Sequence, residues 1–118
     1  MQSQPQATPN QKSTPQDLKQ RLDWGEPALT IIDARTRTAF NTSRIMGAIS
    51  LPETELLPRV VQTLELTRDI YIYNSSDEKT QETADLLRQA GFQNVFQLTG
   101  GLAAWKAVGY PIEGNPTV

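Results

Sequence analysis

Seven polar residues, Asn74-Ser75-Ser76-Asp77-Glu78-Lys79-Thr80, follow directly on the apolar stretch Ile70-Tyr71-Ile72-Tyr73. They bring amide, hydroxyl, carboxylate and ammonium groups together where a buried strand gives way to a helix. One chemistry open to them is nucleophilic: Ser75 or Ser76 attacking, with Lys79 as base. The other is structural. Ser75 and Glu78 stand three apart, the spacing of a capping box, and acids suit the positive end of a helix. The spacing favours capping. A second polar pair, Asp33 and Arg35, follows Ala28–Ile32. These two could orient a ligand, but pairing with each other is the favoured reading.

Composition narrows the chemistry further. The chain has no Cys and no His. A thiol nucleophile, a disulfide and a thiolate metal site are therefore excluded, and so is the usual neutral-pH base. No tight carboxylate cluster offers an alternative metal site, so neither metal nor cofactor is expected. The 118 residues carry a net charge of −2 with acids and bases interspersed. Nothing resembles a basic stripe, so nucleic acid is not an expected partner. No apolar run reaches the roughly 18 residues needed to span a bilayer, so no membrane partner is expected either. Residues 1–12 are rich in Gln, Pro and Ser and read as a flexible tail. They lack the apolar core of a secretory signal and the Arg-rich pattern of a transit peptide, which makes the cytoplasm the expected location.

The remainder alternates helical and strand signals. Thr14, Pro15 and Asp17 announce a first helix with Leu18 and Leu22 on one face. Ala28–Asp33 reads as a buried strand, Thr36–Phe40 as a brief helix and Gly47–Pro52 as a short strand. Thr54–Leu66 has helical spacing, with Pro58 expected in its first turn. The strand Asp69–Asn74 precedes the next helix, which Gly91 should end with a contact from Phe92. Asn94–Leu98 is a further strand, and Gly100-Gly101 should start a last helix closed by Gly109. Trp24 and Trp105 are expected as core anchors. Alternating strands and helices imply a parallel sheet covered on both faces, with ligands bound beyond the carboxyl ends of the strands. That rule singles out Asp33–Arg35 and Asn74–Thr80.

From Ser13 to Glu113 the sequence resembles the rhodanese-like, or sulfurtransferase, domain family. Thr30–Pro52, with Asp33-x-Arg35 and Gly47-Ala48, looks like the family's first signature. Leu86–Glu113, with Gly100, Gly101 and Trp105, looks like its C-terminal one. The resemblance implies an α/β fold of three layers, a small parallel sheet of about five strands with helices on both faces. Four strands are clear, and a short fifth is expected near Lys12. The domain should occupy residues 13–113, leaving tails at 1–12 and 114–118. Active members place a catalytic Cys at the strand exit, where it carries sulfur as a persulfide. Counting back from Leu86-Leu87 puts Asn74 at that position, Asp77 at a mid-loop Gly and Lys79 at a frequent loop Arg. Arg44 stands where a His commonly precedes Ile.

An Asn amide is no nucleophile, so the expected function is that of a catalytically inactive domain that binds, regulates or scaffolds. The ligand-binding candidates are Asp33, Arg35, Arg44, Asn74 and Lys79, and another protein is the expected partner at the degenerate loop. The alternative is an active sulfurtransferase- or hydrolase-type enzyme using Ser75 or Ser76 with Lys79.

Overall fold

The computed structural model describes residues 11–25 and 28–115. Most of the expected N-terminal tail, residues 1–10, and residues 116–118 lie outside the described residues. The elements run β1 (Lys12–Ser13), α1 (Pro15–Asp23), β2 (Leu29–Asp33), α2 (Arg37–Thr42), β3 (Arg44–Ile45), β4 (Ile49–Ser50), α3 (Glu53–Thr63), β5 (Asp69–Tyr73), α4 (Asp77–Gln89), β6 (Asn94–Leu98), α5 (Gly101–Ala107) and β7 (Ile112–Glu113). Five strands form one parallel sheet in the order β1-β6-β5-β2-β4. The α/β fold expected from the alternation is the one observed, including the short strand at Lys12. A separate antiparallel pair, β3 with β7, was not legible from the pattern.

The central strand shows why the sheet is covered on both sides. Side chains alternate along a strand, so Ile70 and Ile72 face one way and Tyr71 and Tyr73 the other. Both faces are buried. Ile70 and Ile72 join Leu56 and Val60 of α3 and Ala84 and Leu87 of α4 in one core cluster. Tyr71 and Tyr73 join Leu18 of α1 and Trp105 of α5 in the other. A strand apolar on both faces cannot sit at a water-facing sheet, which fixes β5 in the interior.

Helix ends follow local chemistry. The Thr14 hydroxyl accepts the Asp17 N–H at 3.0 Å, and Pro15 occupies the first turn of α1. At the far end of α4 the Phe92 N–H donates to the Leu87 carbonyl and the Gly91 N–H to that of Arg88, the expected Schellman closure.

Three expectations are corrected. The residue capping α4 is Ser76, whose hydroxyl accepts the Lys79 N–H at 3.1 Å, and not Ser75. Ser76 is itself extended, at φ −150° and ψ 163°, so the helix begins one residue later. Pro58 lies inside α3, because Pro52 takes the cap and the helix starts at Glu53. Its missing N–H leaves the exposed Thr54 without a helical donor for its carbonyl. Trp24 is 68% exposed and is no core anchor, whereas Trp105 is buried. Two residues past Leu22 is a rotation of about 200° around a helix, which turns Trp24 away from the buried stripe.

Among the described residues no helix is long and apolar enough to cross a membrane.

Candidate functional site: a strand-exit cleft with a closed floor

Parallel pairing sets Asp33 of β2 beside Tyr73 of β5, and the Ala34 N–H donates to the Tyr73 carbonyl at 2.9 Å. The two polar strand exits are therefore neighbours. Together with the starts of α3 and α5 they enclose a cleft of about 880 Å³. Its floor is Asn74, its walls include Arg35, Glu53, Asp77, Lys79 and Lys106, and Ala34, Pro52 and Leu102 supply apolar surface.

Asn74 is buried and engaged at both ends of its amide. Its Nδ2 donates to the Glu53 carboxylate at 2.8 Å, and its Oδ1 accepts the Ser75 N–H at 2.7 Å. Its own N–H donates to the Thr80 hydroxyl at 2.8 Å, and that hydroxyl donates to the Ser76 carbonyl at 2.9 Å. Thr80 is thus a buried tie between the strand end and the helix start. Asp77 accepts the Gly100 N–H at 2.9 Å, joining the loop to the start of α5. That close approach depends on glycine. Gly100 has φ +78°, and a Cβ there would stand 2.5 Å from the Ala104 Cβ. A Cβ on Gly101 would meet the Asn74 carbonyl oxygen at 3.4 Å.

Asp33 and Arg35 do pair with each other. Arg35 Nε and Nη2 reach the two Asp33 oxygens at 3.0 and 2.7 Å, and Nη2 also donates to the Ser43 carbonyl at 2.6 Å. Burial works against the Arg35 charge, but the Asp33 hydrogen bonds and charge outweigh it and raise the Arg35 pKa. The same arrangement affects Tyr73. Burial first, then the Asp33 charge, push its phenol well above the ordinary tyrosine range, while its hydroxyl accepts the Ile45 N–H at 3.1 Å.

Of the residues singled out from sequence, Arg35, Asn74, Ser75, Ser76, Asp77 and Lys79 line the cleft. Asp33 sits fully buried behind Arg35. Arg44 does not line the cleft: it pairs with Glu113 of β7 at 3.3 Å and lies over the Phe40 ring. Glu78 faces a smaller adjoining hollow. Glu53 and Lys106 were not foreseen. Glu53 could have been found by extending the strand-exit rule to the end of β4, whereas nothing local marks Lys106. No hydrogen bond joins the Lys79 ammonium to either serine hydroxyl among the described residues, so Ser75 and Ser76 have no assembled base.

The profile of the rhodanese-like domain matches residues 14–108. The chain belongs to the rhodanese-like domain family. Its fold is similar to the crystal structure of the Alr3790 protein from Anabaena sp., with a TM-score of 0.84 and 52% identity over 86% of this chain and 80% of that one. In sequence it is 33% identical to a sulfurtransferase from Allochromatium vinosum, over 82% of this chain and 89% of that protein. It is also 33% identical to the uncharacterized protein YibN of Escherichia coli, over 70% of this chain. The match spans 59% of YibN's length. In this rhodanese-like domain the strand exit expected to hold a reactive thiol in active members carries Asn74 instead, in a chain with no Cys.

Proposed function

We propose that this rhodanese-like domain does not transfer sulfur and acts by binding, in a regulatory or scaffolding role. A single observation carries the reading. The side chain at the strand exit is an amide, and both of its ends are engaged by the domain's own groups. Sulfur relay through an enzyme persulfide needs a polarizable thiolate to attack the donor and then to be attacked in turn. An amide supplies neither step. The serines offer no substitute, because the Ser76 hydroxyl serves as the cap of α4, and among the described residues no hydrogen bond joins the Ser75 hydroxyl to Lys79.

The cleft itself persists, and the surface it presents is the proposed binding surface. Its ligand-facing groups on this reading are Arg35, Lys79 and Lys106, over the closed floor of Asn74. The sulfurtransferase activity named for the Allochromatium vinosum relative is not carried over to this chain.

The test is a thiosulfate:cyanide transfer assay on the native chain. Transfer no faster than in buffer is the expected result, and clear turnover would refute the reading. Mapping a protein partner wholly to the opposite face of the sheet would count against the placement of the surface.

A further inference from the structure

Helix α2 borders the strand-exit cleft through Ala39 and its cap, Thr36. It is the least anchored helix of the fold. None of its residues is fully buried, whereas every other helix buries at least two. Only Phe40 leans on the core, so burial contributes little to holding α2 in place. Its tie to α3, Arg37 with Glu55 at 2.6 Å, is an exposed pair of the kind that adds little.

The end of α2 is held from elsewhere in the chain. The last carbonyls of a helix have no partner within it. Here the Asn41 carbonyl accepts the Asn115 N–H at 2.8 Å. The Phe40 carbonyl accepts Arg44 Nη1 at 3.2 Å, and Arg44 Nε donates to the Glu113 carboxylate at 3.3 Å. Between those two contacts Gly114 runs against the helix end. A Cβ there would stand 2.8 Å from the Ser43 Cα and nearer still to the Thr42 carbonyl oxygen, and its φ of +154° favours glycine. The segment Ile112–Asn115 thus completes the end of α2. The corner it grips also reaches the cleft, because the Ser43 carbonyl accepts Arg35 Nη2 at 2.6 Å.

This segment is lightly attached. Strand β7 is two residues long, both exposed, and pairs only with β3. Just before it, Pro111 is fixed more firmly, its carbonyl accepting the Trp105 indole N–H at 2.7 Å and the Met46 N–H at 3.2 Å. We propose that α2 is a movable wall of the cleft and that Ile112–Asn115 is its latch, hinged at Pro111. When the latch leaves β3, the end of α2 loses its partners and Ser43 loosens its hold on Arg35, while the sheet and α4 stay folded. Latch and wall open as one local unit. The proposal stands apart from the non-catalytic reading, since it concerns the shape of the cleft and not what enters it.

The experiment follows amide hydrogen exchange by NMR in the native chain, Asn115→Pro and Gly114→Ala. Asn115→Pro removes one donor and should speed exchange of the Phe40 and Ser43 amides by about two- to tenfold. Gly114→Ala should speed it further, and the Ala84 and Leu87 amides of α4 should keep their native rates in both variants. Because the chain has no Cys, Thr38→Cys with Lys106→Cys can carry a single pair of nitroxide labels. Their distance distribution should broaden when the latch is weakened. Should Gly114→Ala fail to fold, Asn115→Pro carries both measurements. Unchanged α2 exchange, an equal acceleration through α4, or an unchanged distance distribution would each overturn the proposal.

Discussion

Asn74 and Glu53 meet across the cleft floor, amide nitrogen to carboxylate oxygen at 2.8 Å. They join the end of the central strand to the first residue of α3, the element that directly precedes it in the chain. The contact does more than fix a side chain. It places a carboxylate beside the position an ionised nucleophile would have to occupy.

Replacing Asn74 by Cys should therefore give a poor thiolate. A carboxylate within contact distance disfavours a second negative charge, so the thiol of Asn74→Cys should titrate above the ordinary cysteine value of about 8.5. Adding Glu53→Gln should bring it down. The pH dependence of iodoacetamide labelling reads both. A thiol titrating well below the ordinary value with Glu53 intact would show that the loop still stabilises anions.

Stability should fall at alkaline pH, and Tyr73 should carry much of the fall. Its folded-state pKa is raised above the ordinary 10.0, by burial first and by Asp33 second. In the folded state the phenol holds its proton where the unfolded chain has released it. The contribution is complete below pH about 10 and is lost as pH climbs toward the folded-state value. Tyr71, raised mainly by burial, acts in the same direction. Urea midpoints measured from pH 8 upward should decline beyond pH about 10 in the native chain and decline less in Tyr73→Phe. Equal slopes in the two proteins would contradict the assignment.

Gly100→Ala should destabilise the fold by about 1–3 kcal/mol, since φ +78° disfavours any side chain and the added methyl meets Ala104. Denaturant unfolding measures it. Because the Gly100 N–H also holds Asp77, the amide of residue 100 should exchange faster in the variant.

Sulfate or phosphate should bind more weakly than millimolar by calorimetry. Asp77 already accepts the Gly100 N–H, and the Asn74 amide already accepts the Ser75 N–H, so an added anion must displace the loop's own acceptors. Affinity tighter than millimolar would contradict a self-occupied loop.

Much of this was legible along the chain. The capping of α1 by Thr14 and the closure of α4 by Gly91 and Phe92 depend on neighbours in sequence, and the strand–helix alternation predicts the sheet. The juxtaposition of Asp33–Arg35 with Asn74–Thr80 followed from the strand-exit rule. What escaped notice depends on competition or on distance. The capping role falls to Ser76 because its backbone is still extended and its hydroxyl meets the Lys79 N–H. Arg44 was drawn from the cleft by Glu113, on a two-residue strand too short to leave a periodic signal. Glu53 and Lys106 reach the cleft from helices whose patterns report only which face is buried.

The sheet's outermost strands, β1 and β4, are two residues each, and prolines at positions 15 and 52 follow both closely. So little unpaired backbone remains at either border that another molecule's extended chain finds almost no template to lengthen the array. Growth into filaments by lateral strand addition is discouraged by the brevity of those margins.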